Sequence, residues 1–187
     1  MPTPTFLLDA QGRQAAELLV TPSALGALDL EDALEVVGYM RPMRIAAGTV
    51  FVREGAIEGN DHMLLVLEGD VSVENSLLQD EDDQMVVRFL GAGSLLGELG
   101  LLDGGPRSAS CVAHTELSVA VLSRADLHQL LQERPRVGAR LLLAIAQRMA
   151  ETLRETTRKL RLFAQMNQAL GEELAQMARG EGDEAGA

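Results

Sequence analysis

Between Gly97 and Ser110 the chain reads GELGLLDGGPRSAS, which gathers the carboxylate of Glu98, the glycines Gly97, Gly100, Gly104 and Gly105, and the guanidinium of Arg107 in one short run. A guanidinium is a planar fork of donors and suits two oxygens of a phosphate, whereas a carboxylate only accepts and suits a hydroxyl. Leu99, Leu101 and Leu102 are spaced to anchor a short helical turn. Gly104, Gly105 and Pro106 end that turn and let the backbone come close to a ligand. Amides at a helix start or in a turn attract the same anion. Residues of these types in this order suit a small sugar phosphate.

No second constellation competes with this one. His62, His114 and His128 have no CxxC, HExxH or carboxylate spacing around them, so they read as surface or edge residues and no metal is expected. No Ser or Cys nucleophile motif occurs, and catalysis is not expected. Cys111, the only cysteine, excludes an internal disulfide and fits a reducing cytoplasm; within SASCVA it reads as a small strand residue facing the core. The formal net charge of −12 argues against direct DNA binding, which needs clustered Lys and Arg. No apolar run reaches the roughly eighteen residues of a membrane span, and the opening MPTPTFLLDAQGR lacks the basic start of a secretory signal. A cytoplasmic protein without a membrane segment is expected.

The elements that must position the run follow from periodicity. Residues 1–21, with Pro2 and Pro4, read as an N-terminal arm or irregular lead-in. Ser23 to Tyr39 carries Leu30, Ala33, Leu34 and Val37 at helical spacing and predicts one or two short helices. From Met43 to Ser123 the period falls to two, punctuated by Gly48, Gly55, Gly59, Gly69, Gly91 and Gly93. That pattern predicts an α+β fold: an antiparallel β-roll of the jelly-roll type, closed or sandwiched, with short flanking helices, over residues 22–135. Asn75 to Gln84, with the acidic run Asp80 to Asp83, predicts a solvated hairpin loop.

Ser123 is placed to cap a helix from Arg124, and Pro135 to separate it from a long helix over residues 136–178. In that helix Leu153, Leu160, Asn167 and Leu174 recur every seven residues, interleaved with Met149, Thr156, Phe163, Leu170 and Met177. A heptad seam of this length predicts a parallel two-fold homodimer through the C-terminal helix, with Asn167 fixing register. Residues 179–187, ending GEGDEAGA, read as a disordered acidic tail.

The run Gly97, Glu98, Leu99 followed by Pro106, Arg107, Ser108, Ala109 resembles the phosphate-binding cassette of cyclic nucleotide-binding domains. The resemblance extends over residues 38–155: Ile45 to Gly55 looks like the family's first hairpin, Met63 to Val73 like its next strand, Gly turn and strand, and Leu117 to Pro135 like its last strand and following helix. Leu96 and Met63 stand where many relatives carry an aromatic. The resemblance implies that Arg107 binds the exocyclic oxygens of a cyclic phosphate and that Glu98 accepts from the ribose 2′-hydroxyl. It further implies that Ser108 and Ala109 offer backbone amides to the phosphate and that Gly97 and Leu99 frame the sugar. Aligned from Pro135, Thr152 falls at the family's base-contacting threonine, with Thr156 one turn later; a surface or seam role for these threonines is the alternative. The family's cyclic AMP receptor branch carries a helix-turn-helix domain after the long helix, and a sensor module without that domain is expected here.

These features imply a receptor for cyclic AMP first and cyclic GMP second, signalling through a protein partner. The competing reading is an interaction or scaffold dimer that keeps the fold and binds no mononucleotide. An intact Glu98 and Arg107 pair in a glycine turn favours the receptor.

Overall fold

The structure, a computed structural model, describes residues 10–76 and 85–184. The chain divides into two compact units, residues 1–146 and 147–187.

The first unit holds eight strands, β1 (Arg41–Ile45), β2 (Val50–Val52), β3 (His62–Glu68), β4 (Val71–Ser76), β5 (Met85–Leu90), β6 (Leu95–Leu96), β7 (Ser110–Ala113) and β8 (Leu117–Ser123). They form two four-stranded antiparallel sheets, ordered β1-β8-β3-β6 and β2-β7-β4-β5. The expected roll is therefore corrected. Among the described residues no strand is hydrogen-bonded into both sheets, and the strands do not close into a barrel or roll. Alternation and glycines specify strands, but they do not specify that the last strand of one sheet pairs with the first of the other. The segment Ile45 to Gly55 is likewise no hairpin: β1 pairs with β8, and β2 with β7.

Leu64, Val66, Val71, Leu96, Ala113, Leu117 and Val119 pack together as the core of the strands. Strand β3 is buried on both faces. Its alternate residues Met63, Leu65 and Leu67 are no more than 1% exposed. Two helices, α1 (Ala10–Leu19) and α3 (Glu98–Asp103), lie against it, and Gln14 Nε2 donates to Leu67 O at 3.3 Å. Double coverage is what the unbroken apolar run MLLVL requires.

Residues read as an arm include α1, whose small residues Gly12, Ala15 and Ala16 are buried with Leu19. The helix expected between Ser23 and Tyr39 is α2 (Leu30–Val37), capped by Asp29, whose side chain accepts from Asp32 N–H. Its buried face is Ala33, Val36 and Val37, while Leu30 is exposed. The Asn75 to Gln84 loop is outside the described residues at 77–84; on either side Ser76 pairs with Met85.

Helix α4 (Arg124–Glu133) begins with Ser123 accepting from Asp126 N–H at 3.1 Å and ends where Arg134 leaves helical dihedrals ahead of Pro135. Helix α5 then runs from Pro135 to Glu184. In the first unit it buries Val137, Leu141, Ala144 and Ile145, and Arg140 donates to Asp29 at 2.9 Å and also to Asp32. It continues through Gly171, since a single helix glycine costs only about 1 kcal/mol, and past Ala178 into residues read as tail. In the second unit every residue from Glu151 to Glu172 is exposed, including Leu153, Leu160, Phe163 and Leu170 of the heptad seam. Among the described residues no helix is long and apolar enough to cross a membrane.

Candidate functional site

The site is built on a glycine-to-helix turn. Gly97 takes the left-handed conformation (φ 79°, ψ 18°) that glycine adopts without strain, and from it the chain enters α3 at Glu98. Gly104, also left-handed, ends α3 with its N–H on Gly100 O at 3.1 Å, and Gly105 N–H donates to Asp103 Oδ1 at 2.7 Å. Arg124 reaches in from α4, donating to Leu101 O at 3.0 Å and Gly100 O at 2.6 Å. Asn60, buried ahead of β3, donates to Gly104 O at 2.9 Å and to Gly105 O. The carbonyls that a short helix leaves unpaired at its C-terminal end thus gain side-chain donors.

Arg107 lies across this turn. Its backbone is fixed on both sides by the turn after β2, with Arg107 N–H on Ala56 O at 3.1 Å and Gly55 N–H on Arg107 O at 2.8 Å. The side chain is only 7% exposed, and its guanidinium donates to Gly97 O at 3.3 Å and His62 O at 3.1 Å, with His62 Nε2 at 3.4 Å from the same nitrogen. A Cβ on Gly97 would stand 2.2 Å from the guanidinium, and one on Gly100 would stand 2.3 Å from Asn60 O and 3.1 Å from the guanidinium. Both glycines are spaces that this arginine occupies. Burial lowers the Arg107 pKa from its ordinary value, and Cys111, Asp61 and Glu98 push it back up. A buried guanidinium held on neutral carbonyls has much to gain from an anion.

The structure brings Gly97, Glu98, Arg107, Ser108 and Ala109 into one turn-helix-turn. Glu98 is half-buried at the start of α3, Leu99 is 43% exposed, Ser108 is exposed and Ala109 is buried. Thr152 and Thr156 belong to the second unit, where both are exposed and Thr156 Oγ1 donates to Thr152 O at 2.8 Å. Cys111, expected to face the core, does so in β7; burial pushes its thiol up to about 11 and argues against redox sensing.

Three residues of the site carry no sequence signal. His62, read as a surface or edge residue, is half-buried and meets Arg107 with both its carbonyl and its ring. Burial, and then the Arg107 charge, lower its pKa from the ordinary value against the opposing pull of Asp61. Asn60 and Arg124 hold the cassette from more than twenty residues away, and their motifs are silent. Among the described residues no group of three or more His, Cys, Asp or Glu could hold a metal.

Two antiparallel sheets present a buried arginine over a glycine-opened helix start, an arrangement whose chemistry suits a small anion. The model of the cyclic nucleotide-binding domain family matches residues 42–134, which span the strands, the cassette and α4. Among solved structures, a cyclic nucleotide-binding domain from Methylobacillus flagellatus is 30% identical, with a TM-score of 0.64 over 77% of this chain and 79% of that one. The chain belongs to the cyclic nucleotide-binding domain family. A cyclic nucleotide-gated potassium channel of Rhizobium etli is 34% identical over 66% of this chain and 28% of the channel. A CRP-like cAMP-activated global transcriptional regulator of Mycobacterium tuberculosis is 26% identical over 71% of this chain and 54% of the regulator. The chain thus spans about half, or less, of the length of these two curated relatives.

Proposed function

We infer that the domain is the sensor of a regulatory protein and binds a cyclic mononucleotide, cyclic AMP first and cyclic GMP second. The observation that carries this reading is the Arg107 guanidinium, 7% exposed and lying in the space left by Gly97 and Gly100, with Glu98 opening the adjoining helix. Arg107 takes the exocyclic phosphate oxygens and Glu98 accepts from the ribose 2′-hydroxyl, Gly97 and Leu99 frame the sugar, and the Ser108 and Ala109 amides complete the anion site. The mycobacterial relative's cAMP-activated name favours cyclic AMP as the first ligand. The base-contact roles of Thr152 and Thr156 rest on the family resemblance alone.

The same reading includes a homodimer through α5 and output through a protein partner. Leu153, Leu160, Phe163 and Leu170 are each at least 53% exposed along the seam, which is apolar surface that a second copy of the helix would cover. The net charge of −12 disfavours DNA as the direct target.

The test is thermal unfolding with cyclic AMP, cyclic GMP and a cyclic dinucleotide, repeated on Arg107→Ala. A ligand at one hundred times its dissociation constant adds about 2.7 kcal/mol of stability. No shift with any mononucleotide, or an undiminished shift in Arg107→Ala, overturns the receptor reading. Sedimentation of Leu160→Glu tests the dimer, which fails if that chain associates as tightly as the wild type.

A further inference from the structure

One contact of the cassette is absorbed neither by phosphate binding nor by the fold. His62 lies 45 residues before Arg107, and the same guanidinium nitrogen meets its carbonyl at 3.1 Å and its Nε2 at 3.4 Å. A guanidinium only donates, so Nε2 must be the acceptor and the ring proton must sit on Nδ1. Nδ1 lies 3.9 Å from Asp61 Oδ1, where such a proton is welcome. Neutral His62 therefore holds Arg107 on the protein's own acceptors.

We propose that His62 is a positioning residue for Arg107, holding the guanidinium back when neutral and releasing it toward the nucleotide phosphate when protonated. The inference rests on Arg107 being the phosphate ligand. A second proton on the ring sits on Nε2 and points at the guanidinium, so the hydrogen bond is lost and two cations face each other. Arg107 is then better placed on an anion, and the imidazolium adds a second positive charge beside it.

The groups facing this switch oppose one another. Arg107 disfavours the ring charge and Asp61, ahead of β3, favours it; Glu98 of α3 and Cys111 of β7 act on Arg107. Burial and Arg107 lower the His62 pKa in the free protein, and a bound phosphate anion offsets the Arg107 charge and raises it. A site whose pKa rises on binding takes up a proton with the ligand, so affinity increases as the pH falls through the interval between the free and bound values. The lower end of that interval lies below the ordinary imidazole value of 6.5, because burial and Arg107 depress the ring in the free protein.

Calorimetric titration of cyclic AMP and cyclic GMP from pH 7.5 to 5.5, on the wild type and on His62→Gln, tests this. Glutamine keeps an acceptor and does not titrate. The wild type is expected to bind about three- to tenfold tighter at the lower pH and His62→Gln to show a flat profile. A flat wild-type profile, or an equal slope in His62→Gln, overturns the proposal while leaving the receptor reading intact. A wild type that binds neither nucleotide at any pH overturns both. A second readout needs no nucleotide: the His62 ring titration followed by NMR is expected to move up in Arg107→Gln, and an unmoved titration in a folded variant overturns the contact.

Discussion

Gly97→Ala isolates what the cassette asks of its backbone, because Gly48 is a matched control. Both glycines have φ of 79°, but a Cβ on Gly48 meets nothing within 4 Å, while one on Gly97 would stand 2.2 Å from the Arg107 guanidinium and 3.0 Å from His62 O. Alanine in the left-handed region costs about 1–2 kcal/mol at either position. At Gly97 the guanidinium must also leave its carbonyls, and hydrogen bonds made by a charged group contribute about 1.5–3 kcal/mol. Gly48→Ala is therefore expected to destabilise by about 1–2 kcal/mol and Gly97→Ala by about 2.5–5 kcal/mol. For a chain of this size each kcal/mol lowers Tm by about 2–4 °C.

Differential scanning calorimetry of the two variants reads that difference, and nucleotide titration reads its functional half. Gly97→Ala should lose cyclic nucleotide binding because its Cβ fills the turn that Arg107 and the proposed sugar site share, whereas Gly48→Ala should bind normally. Equal Tm losses in the two variants would refute the argument that the space at Gly97 belongs to Arg107. Normal binding by Gly97→Ala would refute the argument that the open turn at Gly97 is needed by the nucleotide.

Two further outcomes follow from buried groups. Asn60→Ala removes the donor from Gly104 O and Gly105 O and is expected to destabilise by about 1–3 kcal/mol, with weaker nucleotide binding; unchanged urea unfolding would show that those carbonyls find other donors. The Cys111 thiol is held up to about 11 against an ordinary 9.0, so the native state keeps a proton that the unfolded chain loses. Stability from this group is complete below pH 9 and is lost as the pH rises toward 11, about 2–3 kcal/mol in all. Urea midpoints at pH 8 and 10.5 should fall less in Cys111→Ala than in the wild type, and equal falls would contradict it.

The cassette was legible in the sequence because its chemistry is local. Gly97, Glu98, Arg107 and Ala109 lie within one short run, and glycine conformation and residue type carry the reading without long-range information. The strands were legible for the same reason, as alternation is a local property. Their pairing was not, because β1 chooses β8 and β2 chooses β7 across more than fifty residues, and the closed roll was lost with those choices. Helix α1 was missed because a face of Gly12, Ala15 and Ala16 gives little hydrophobic signal and matters only when it meets β3. Asn60 and Arg124 escaped notice because each donates to a backbone carbonyl, and a carbonyl has no residue type to read; His62 escaped because its contact with Arg107 spans 45 residues.

That last point bears on how a ligand changes this domain. Arg107 donates to carbonyls at two element boundaries, the first residue of β3 and the residue that caps α3. A phosphate that draws the guanidinium away frees His62 O and Gly97 O together, so the start of a central strand and the start of the cassette helix lose a shared tie in one step. The free energy available to such a change is only the difference between the new phosphate contacts and the carbonyl contacts given up. A phosphate oxygen carries the charge that a carbonyl lacks and can pair with the guanidinium bidentately, so the exchange favours the phosphate. The long-range field of a chain with net charge −12 works against the incoming anion. Selective, reversible occupancy then requires Glu98 and the cassette amides to contribute alongside Arg107. With Arg107 as the proposed phosphate ligand, its hold on the protein's own acceptors sets a threshold for occupancy, since a weak anion must outcompete two carbonyls and an imidazole already in place.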